Sequence, residues 1–311
     1  MLRWSSKIRT GLANKGRDVG LADWFSTFVS NLKVDDGGTI SSRYQQITKR
    51  LNTDFWNTDS YTSHSLYVGS YGRNTAIKSV SDLDMIFELP SSEYHKYDAY
   101  ATNGQSALLQ AVKTSIGKTY HSSHVGGDGQ VVAVNFTDGI TFEIVPVFMN
   151  TSDTYTYPDS NSGGSWKITN PRAEIAAIRE RNTACNGNLI ALCRMMRSWK
   201  DTWSVPIGGL LVDTLAYQFI DGWTNKDKSY LYYDWMCRDF FAWMAAQNAD
   251  QEYWRAPGSA AYVWGKGLFQ YKAKQCYNLA VKAIEHETAV PKQEWSAKNK
   301  WREIFGTRFP S

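Results

Sequence analysis

Two carboxylates next to an apolar run are the feature that most constrains how this chain can fold. Residues 83–89 (Leu-Asp-Met-Ile-Phe-Glu-Leu) are mostly apolar and stop at Pro90, which predicts a strand. Because side chains alternate across a strand, Asp82 and Asp84 project from the same face. Two adjacent carboxylates repel each other unless a cation lies between them. Mg²⁺ is the expected cation, since it is usually held by one or two carboxylates together with substrate phosphates.

A small turn, Gly69-Ser70, lies about a dozen residues upstream of the acidic pair, after a short predicted strand at 66–69. Glycine lets the backbone N–H groups approach an anion closely, and the serine adds a hydroxyl. The turn and the two acids together predict a metal–nucleotide site.

A third acid, Glu143, lies in a later predicted strand. Residues 131–136 and 140–147 are apolar runs that flank Asp138-Gly139, a strong signal for a two-residue hairpin turn. With Asp82 and Asp84, Glu143 would complete the carboxylate set of two-metal phosphoryl transfer, in which the ions lie roughly 3.5–4 Å apart. The alternative is that Glu143 lies on the solvent face of an edge strand.

Helical periodicity is found on both sides of the strand-rich region. Residues 17–56 predict two helices, or one long helix with a break at the Gly pair 37–38, and residues 105–116 predict another helix. The polar segment 151–164 predicts a mobile loop. The remainder predicts helices only, at 171–183, 186–202, 208–221, 230–248, 259–287 and 292–304. We therefore expect an α+β fold, with an α/β half at 1–165, its catalytic core at about 60–150, and a helical half at 166–311.

Composition excludes several classes of protein. The 311 residues are 42% hydrophobic, which indicates a filled globular core. No run of about 18 apolar residues occurs, so we expect no membrane span, and without the apolar stretch of a signal peptide we expect a cytoplasmic protein. A net charge of +4 suits a small anionic substrate and falls short of a strong nucleic-acid-binding signature. The four cysteines have no CxxC spacing and predict reduced, buried thiols.

The motifs resemble a known superfamily. Residues 69–77 (Gly-Ser-Tyr-Gly-Arg-Asn-Thr-Ala-Ile), followed by Asp82-Leu83-Asp84, look like the signature of the DNA polymerase β-like nucleotidyltransferases. The strand at 141–147, Asn170-Pro171, the helix that ends at Trp199-Lys200 and the terminal segment 301–310 narrow the resemblance. They are similar to the bacterial cGAS/DncV-like nucleotidyltransferases (CD-NTases, SMODS-type).

The resemblance implies a role for each motif. Asp82, Asp84 and Glu143 would be the catalytic residues and hold two Mg²⁺ ions, with Mn²⁺ able to take their place. Glu143 would also help to activate the attacking ribose hydroxyl. The implied nucleotide-binding residues are Gly69, Ser70, Tyr71, Arg73 and Lys200. The alternative to nucleotide binding is a salt bridge to a surface acid for Arg73, and a solvent-exposed side chain without a partner for Lys200.

Three positions depart from the family pattern. The third acid is Glu143 where many relatives have Asp. Gly209 stands where relatives often have a phosphate-contacting Ser, and Asp213, where they often place Glu, is expected to be a structural helix residue.

The resemblance implies a polymerase β-like mixed sheet with a C-terminal helical bundle, two-lobed with a central cleft. The implied activity joins nucleoside triphosphates, ATP and/or GTP, into a cyclic di- or trinucleotide and releases pyrophosphate. This second messenger would act on a separate effector protein in antiviral (CBASS-type) defence, and the synthase is expected to be a monomer. Two alternatives stay open: an RNA- or protein-directed nucleotidyltransferase, and a catalytically silent nucleotide- or RNA-sensing module.

Overall fold

A computed structural model describes residues 19–34, 38–78, 82–121 and 124–311 of the chain. Its helices are α1 (Val19–Leu32), α2 (Thr39–Leu51), α3 (Gly69–Gly72), α4 (Ser91–Asp98), α5 (Gly104–Gly117), α6 (Pro171–Ala184), α7 (Asn188–Thr202), α8 (Gly209–Gly222), α9 (Tyr233–Ala245), α10 (Gln270–Thr288) and α11 (Glu294–Phe305). Its strands are β1 (Ser65–Tyr67), β2 (Asp82–Glu88), β3 (His124–Asp128), β4 (Val131–Asn135), β5 (Thr141–Met149), β6 (Tyr155–Asp159), β7 (Ser165–Thr169), β8 (Tyr253–Arg255) and β9 (Tyr262–Trp264). None of the helices in these ranges is long and apolar enough to span a bilayer.

Strands β1 to β7 form one mixed sheet. The central order is β1-β2-β5-β4-β3, and β6 pairs with the far end of β5 and with β7. Strands β2 and β5 are parallel, whereas the other pairs are antiparallel. Because β5 has β2 on one side and β4 on the other, the alternative that Glu143 lies on an edge strand is wrong.

The hydrophobic side chains form two main cores. Helices α2 and α5 pack on the sheet, where residues such as Ile47, Leu108 and Phe142 are fully buried. The larger core joins α7 to α11, and α1 packs into it although α1 lies at the other end of the chain. The Phe25 ring in α1 meets Trp301 of α11 edge-on at 5.0 Å. Apolar burial of this kind is the dominant stabilising term in a folded domain.

Most of the predicted elements are confirmed. The predicted hairpin is β4–β5, and the Asn170 side chain caps α6 by accepting the Ala173 N–H at 3.1 Å, with Pro171 in the first turn. The four cysteines are buried free thiols, as expected. The division of the chain at residue 165 stays a prediction.

Two segments differ from the prediction. The helix expected at 259–287 begins only at Gln270, because 253–264 form the hairpin β8–β9. In this hairpin alternate residues face outward, so Tyr253, Tyr262 and Trp264 are exposed while Trp254 and Val263 are buried. The loop expected at 151–164 contains β6, which continues the sheet beyond β5.

Candidate active site

The register of β2 and β5 brings the predicted acids together. Asp84 lies directly opposite Glu143, and Asp82 lies opposite Thr141. Neighbouring strands are about 4.8 Å apart, and residues in register project from the same face. Asp82 is exposed, and Asp84 and Glu143 are half-buried. The three acids therefore share one face at the start of two central strands.

The Gly-Ser turn lies against the same acids. It forms the single helical turn α3, and the Val68 N–H before it donates to the Asp84 carbonyl at 2.9 Å. Gly69 has φ of 59°, and a methyl group on its Cα would overlap Asp84 Oδ2. Only glycine combines this left-handed backbone with so close an approach to a carboxylate.

The surroundings of Asp84 disfavour its charged form. Burial raises the pKa of Asp84 above its usual value. The positive charge of Arg73 opposes this rise, the negative charge of Asp82 adds to it, and the positive charge of Arg197 opposes it. A carboxylate in this position gains from a nearby cation.

The donor set fits Mg²⁺. Within the described residues no three His, Cys, Asp or Glu side chains are close enough to make a complete metal site. Mg²⁺, however, is rarely enclosed by protein ligands alone, because it is bound through one or two carboxylates and the substrate phosphates. The oxygen donors of Asp82, Asp84 and Glu143 would supply that protein share.

A buried charge network holds α3 against the helical part of the chain. Arg73 Nε donates to Asp213 Oδ2 at 3.1 Å, and Arg73 Nη1 donates to Glu174 Oε2 at 3.2 Å. The Thr75 hydroxyl donates to Asp213 at 2.8 Å, and the Asp213 side chain has no exposed surface. These contacts agree with the structural role expected of Asp213. They also occupy two of the three guanidinium nitrogens of Arg73, whose contact with nucleotide stays a prediction.

Arg197 is the residue that the sequence analysis missed. Its Nη2 donates to Asp213 Oδ2 at 2.8 Å and to the Gly209 carbonyl at 3.1 Å. A Cβ added at Gly209 would lie 2.5 Å from Arg197 Nη1, so the guanidinium fills the space beside Gly209, the position where the family resemblance led us to expect a Ser. The sequence does contain a signal for Arg197. It lies one helical turn before Lys200, so the two cations share one side of α7.

The other predicted nucleotide-binding residues lie on α3 and near the end of α7. The Ser70 carbonyl accepts the N–H groups of Thr75 and Ala76, which closes the turn after α3. The Tyr71 ring packs 4.6 Å from that of Tyr67, next to the sheet core. Lys200 is half-buried near the end of α7 and has no side-chain partner among the described residues. Nucleotide contacts by these residues stay predictions.

Comparison with known families agrees with this geometry. The model of the Second Messenger Oligonucleotide or Dinucleotide Synthetase (SMODS) domain matches residues 20–182, which is more than half of the chain. The chain belongs to the SMODS family. Membership confirms the predicted enzyme class, a nucleotidyltransferase, and the predicted function of this chain as a cyclic oligonucleotide synthase.

Individual relatives are distant in sequence. The chain is 22% identical over 278 residues to a probable cyclic nucleotide synthase of Bacillus cereus, covering 78% of this chain and 81% of the relative. It is 22% identical over 258 residues to a cyclic AMP-AMP-AMP synthase of Acinetobacter, covering 79% of this chain and 73% of the relative.

Solved structures confirm the fold of this SMODS protein. Escherichia coli CdnC, in a complex with HORMA-deltaN, superposes with a TM-score of 0.69 at 14% identity, over 93% of this chain and 98% of that one. Vibrio cholerae DncV, a cyclic AMP-GMP synthase, superposes with a TM-score of 0.60 at 13% identity, over 94% of this chain and 87% of DncV. The predicted polymerase β-like fold is therefore confirmed.

Proposed function

We propose that the acids on β2 and β5 catalyse the joining of nucleoside triphosphates by two-metal nucleotidyl transfer. One observation carries the proposal. Asp84 and Glu143 lie opposite each other on neighbouring strands, and Gly69 of α3 lies against the Asp84 carboxylate. Asp82, Asp84 and Glu143 would hold two Mg²⁺ ions, which when bound stabilise the charge on the attacking and leaving oxygens. Mn²⁺ is expected to replace them.

The protein side chains supply the remaining parts of the reaction. Glu143 helps to take the proton from the attacking ribose hydroxyl, whose oxygen forms the new bond to the α-phosphorus as the bond to pyrophosphate breaks. The backbone at Gly69 and the Ser70 hydroxyl grip the triphosphate. Lys200 balances the negative charge of the triphosphate. Arg197 adds a second positive charge, since its charge opposes the rise in the pKa of Asp84 and its guanidinium fills the space beside Gly209.

The names of the relatives support ATP and GTP as substrates. Their names include a cyclic AMP-AMP-AMP synthase and a cyclic AMP-GMP synthase, and Bradyrhizobium diazoefficiens CdnG was solved with GTP. We infer that this chain uses ATP and/or GTP, works in the cytoplasm as a monomer, and makes a di- or trinucleotide ring. The ring would switch on a separate effector protein in defence against phage.

Incubation with labelled ATP, GTP, CTP and UTP tests the activity. The reaction contains Mg²⁺ or Mn²⁺ and is treated with phosphatase before the products are resolved. We expect label that resists phosphatase, because a cyclic product has no terminal phosphate. The double variant with Asp82→Ala and Asp84→Ala should stay folded and make none.

The same assay separates the two other candidate functions. Label transferred to added RNA or protein would mean an RNA- or protein-directed enzyme and would overturn the proposal. Nucleotide binding without turnover, with either metal, would favour the sensing module. Undiminished synthesis by the double variant would contradict the assignment of the metal ligands.

A further inference from the structure

A cavity of about 250 Å³ lies at the far end of the Gly-Ser helix from the catalytic acids. It is lined by the end of α3 and the turn after it, by α6 and by the start of α7: Gly72, Arg73, Asn74, Ile175, Arg179, Asn182, Thr183 and Ile190. None of the three predicted catalytic acids lines it, and of the predicted nucleotide-binding residues it includes Arg73 alone.

A buried guanidinium lies next to this cavity, hydrogen-bonded to the lining residue Asn74. Arg194 lies one helical turn after Ile190 on α7, and only 8% of its surface is exposed. Its Nη2 donates to Asn74 Oδ1 at 2.7 Å, and its Nε is buried without a hydrogen-bond partner. Among the described residues no carboxylate forms an ion pair with Arg194. Burial accordingly lowers the pKa of Arg194.

A second cation lines the same cavity. Arg179 of α6 has neither a hydrogen bond nor an ion pair from its side chain in the described part of the chain. The nearby cations Arg73 and Arg197 are balanced by the two acids Glu174 and Asp213. This leaves the charges of Arg179 and Arg194 without compensation.

A buried charge that lacks a counter-ion is costly, and such charges in proteins are normally paired. A guanidinium is suited to bidentate hydrogen bonds with planar carboxylates and with phosphates. We propose that this cavity is a binding site for a compact oxyanion, the phosphate or carboxylate group of a small molecule, bound by Arg179 on the cavity wall and by Arg194 beside the lining residue Asn74.

Calorimetric titration of the full chain with two probes, inorganic phosphate and citrate, tests the proposal. The assay contains no nucleotide, so its result does not depend on the proposed catalytic activity. We expect saturable binding of at least one probe, and the stronger binder identifies the chemical class. Arg179→Ala should weaken this binding about tenfold or more, since a charged hydrogen bond is lost.

Three further variants make the result specific. Arg194→Gln should weaken binding as Arg179→Ala does. Lys282→Ala removes an exposed cation of α10 that has no partner in the described part of the chain, and Lys200→Ala removes a cation proposed to bind triphosphate; both should leave this binding unchanged. Arg179 is exposed on a helix, so its alanine variant is expected to fold. Absence of saturable binding to the wild-type chain, equal loss in Arg179→Ala and Lys282→Ala, or loss in Lys200→Ala would overturn the proposal.

Discussion

At the scale of single residues, Gly69 connects the turn to the catalytic acids. Gly69→Ala adds a methyl group that overlaps Asp84 Oδ2 and also strains a backbone with φ of 59°. We expect a loss of about 1–2 kcal/mol in stability from the strain and a fall in kcat/KM of a hundredfold or more, because small displacements of catalytic groups cost about that much.

Gly139→Ala is the matched control for this change. Gly139 has φ of 86° and no atom within 4 Å of an added Cβ, so it carries the strain without the overlap. It should lose a similar amount of stability in urea unfolding and keep its turnover of nucleotides. Equal activity of the two variants would contradict the role given to Gly69.

Asp84 predicts a pH dependence of stability. Its pKa is raised in the folded chain, so the folded state holds a proton more tightly than the unfolded state does, and stability falls as pH rises from the unfolded pKa through the folded one. Asp84→Asn removes that cost. With EDTA present, this variant should melt at a higher temperature than the wild-type chain at pH 7, and the difference should shrink towards pH 4.

The exposed Asp250→Asn serves as the control and should leave the melting temperature unchanged at both pH values. Added Mg²⁺ should raise the melting temperature of the wild-type chain and not that of Asp84→Asn, because a ligand stabilises only the state that binds it. A lower melting temperature of Asp84→Asn at pH 7 in EDTA would refute this account.

At the scale of elements, Asp213 ties α8 to α3 and α7. Asp213→Asn leaves Arg73 and Arg197 buried with one fewer carboxylate, and removal of one partner of a buried pair costs about 3–5 kcal/mol. Asp221→Asn on the same helix breaks a pair whose acid is 60% exposed and should cost about 1 kcal/mol or less. Urea unfolding of the two variants measures the difference, and equal losses would show that the network does not hold α3.

The elements also show what the sequence can predict. The apolar runs of β2 and β5, with Pro90 and Asp138-Gly139 beside them, predicted two strands, because these signals are local in the sequence. The pattern contained no information on their parallel register, nor on the pairing of Arg73 with Asp213, which lies 140 residues away. The hairpin β8–β9 was missed because its strands are three residues long and their exposed aromatic side chains resemble the apolar face of a helix.

At the scale of the whole molecule, α1 and α11 join the two ends of the described chain in one core. Trp301 is fully buried against Phe25 and Phe309, so Trp301→Ala should cost about 3–5 kcal/mol. Trp295 on the same helix is 79% exposed, and Trp295→Ala should change stability by about 0.5 kcal/mol or less. Urea unfolding distinguishes the two, and a similar loss for both would mean that α1 does not depend on this contact.

The central claim is that Asp82, Asp84 and Glu143 bind metal and triphosphate beneath α3. A crystal structure of the chain with Mn²⁺ and a non-hydrolysable ATP analogue, with anomalous scattering recorded for manganese, tests it most directly. We predict anomalous peaks bonded to Asp84 and its neighbouring acids, with the triphosphate against Ser70. Manganese and triphosphate bound elsewhere, with these three carboxylates contacting neither, would contradict the account.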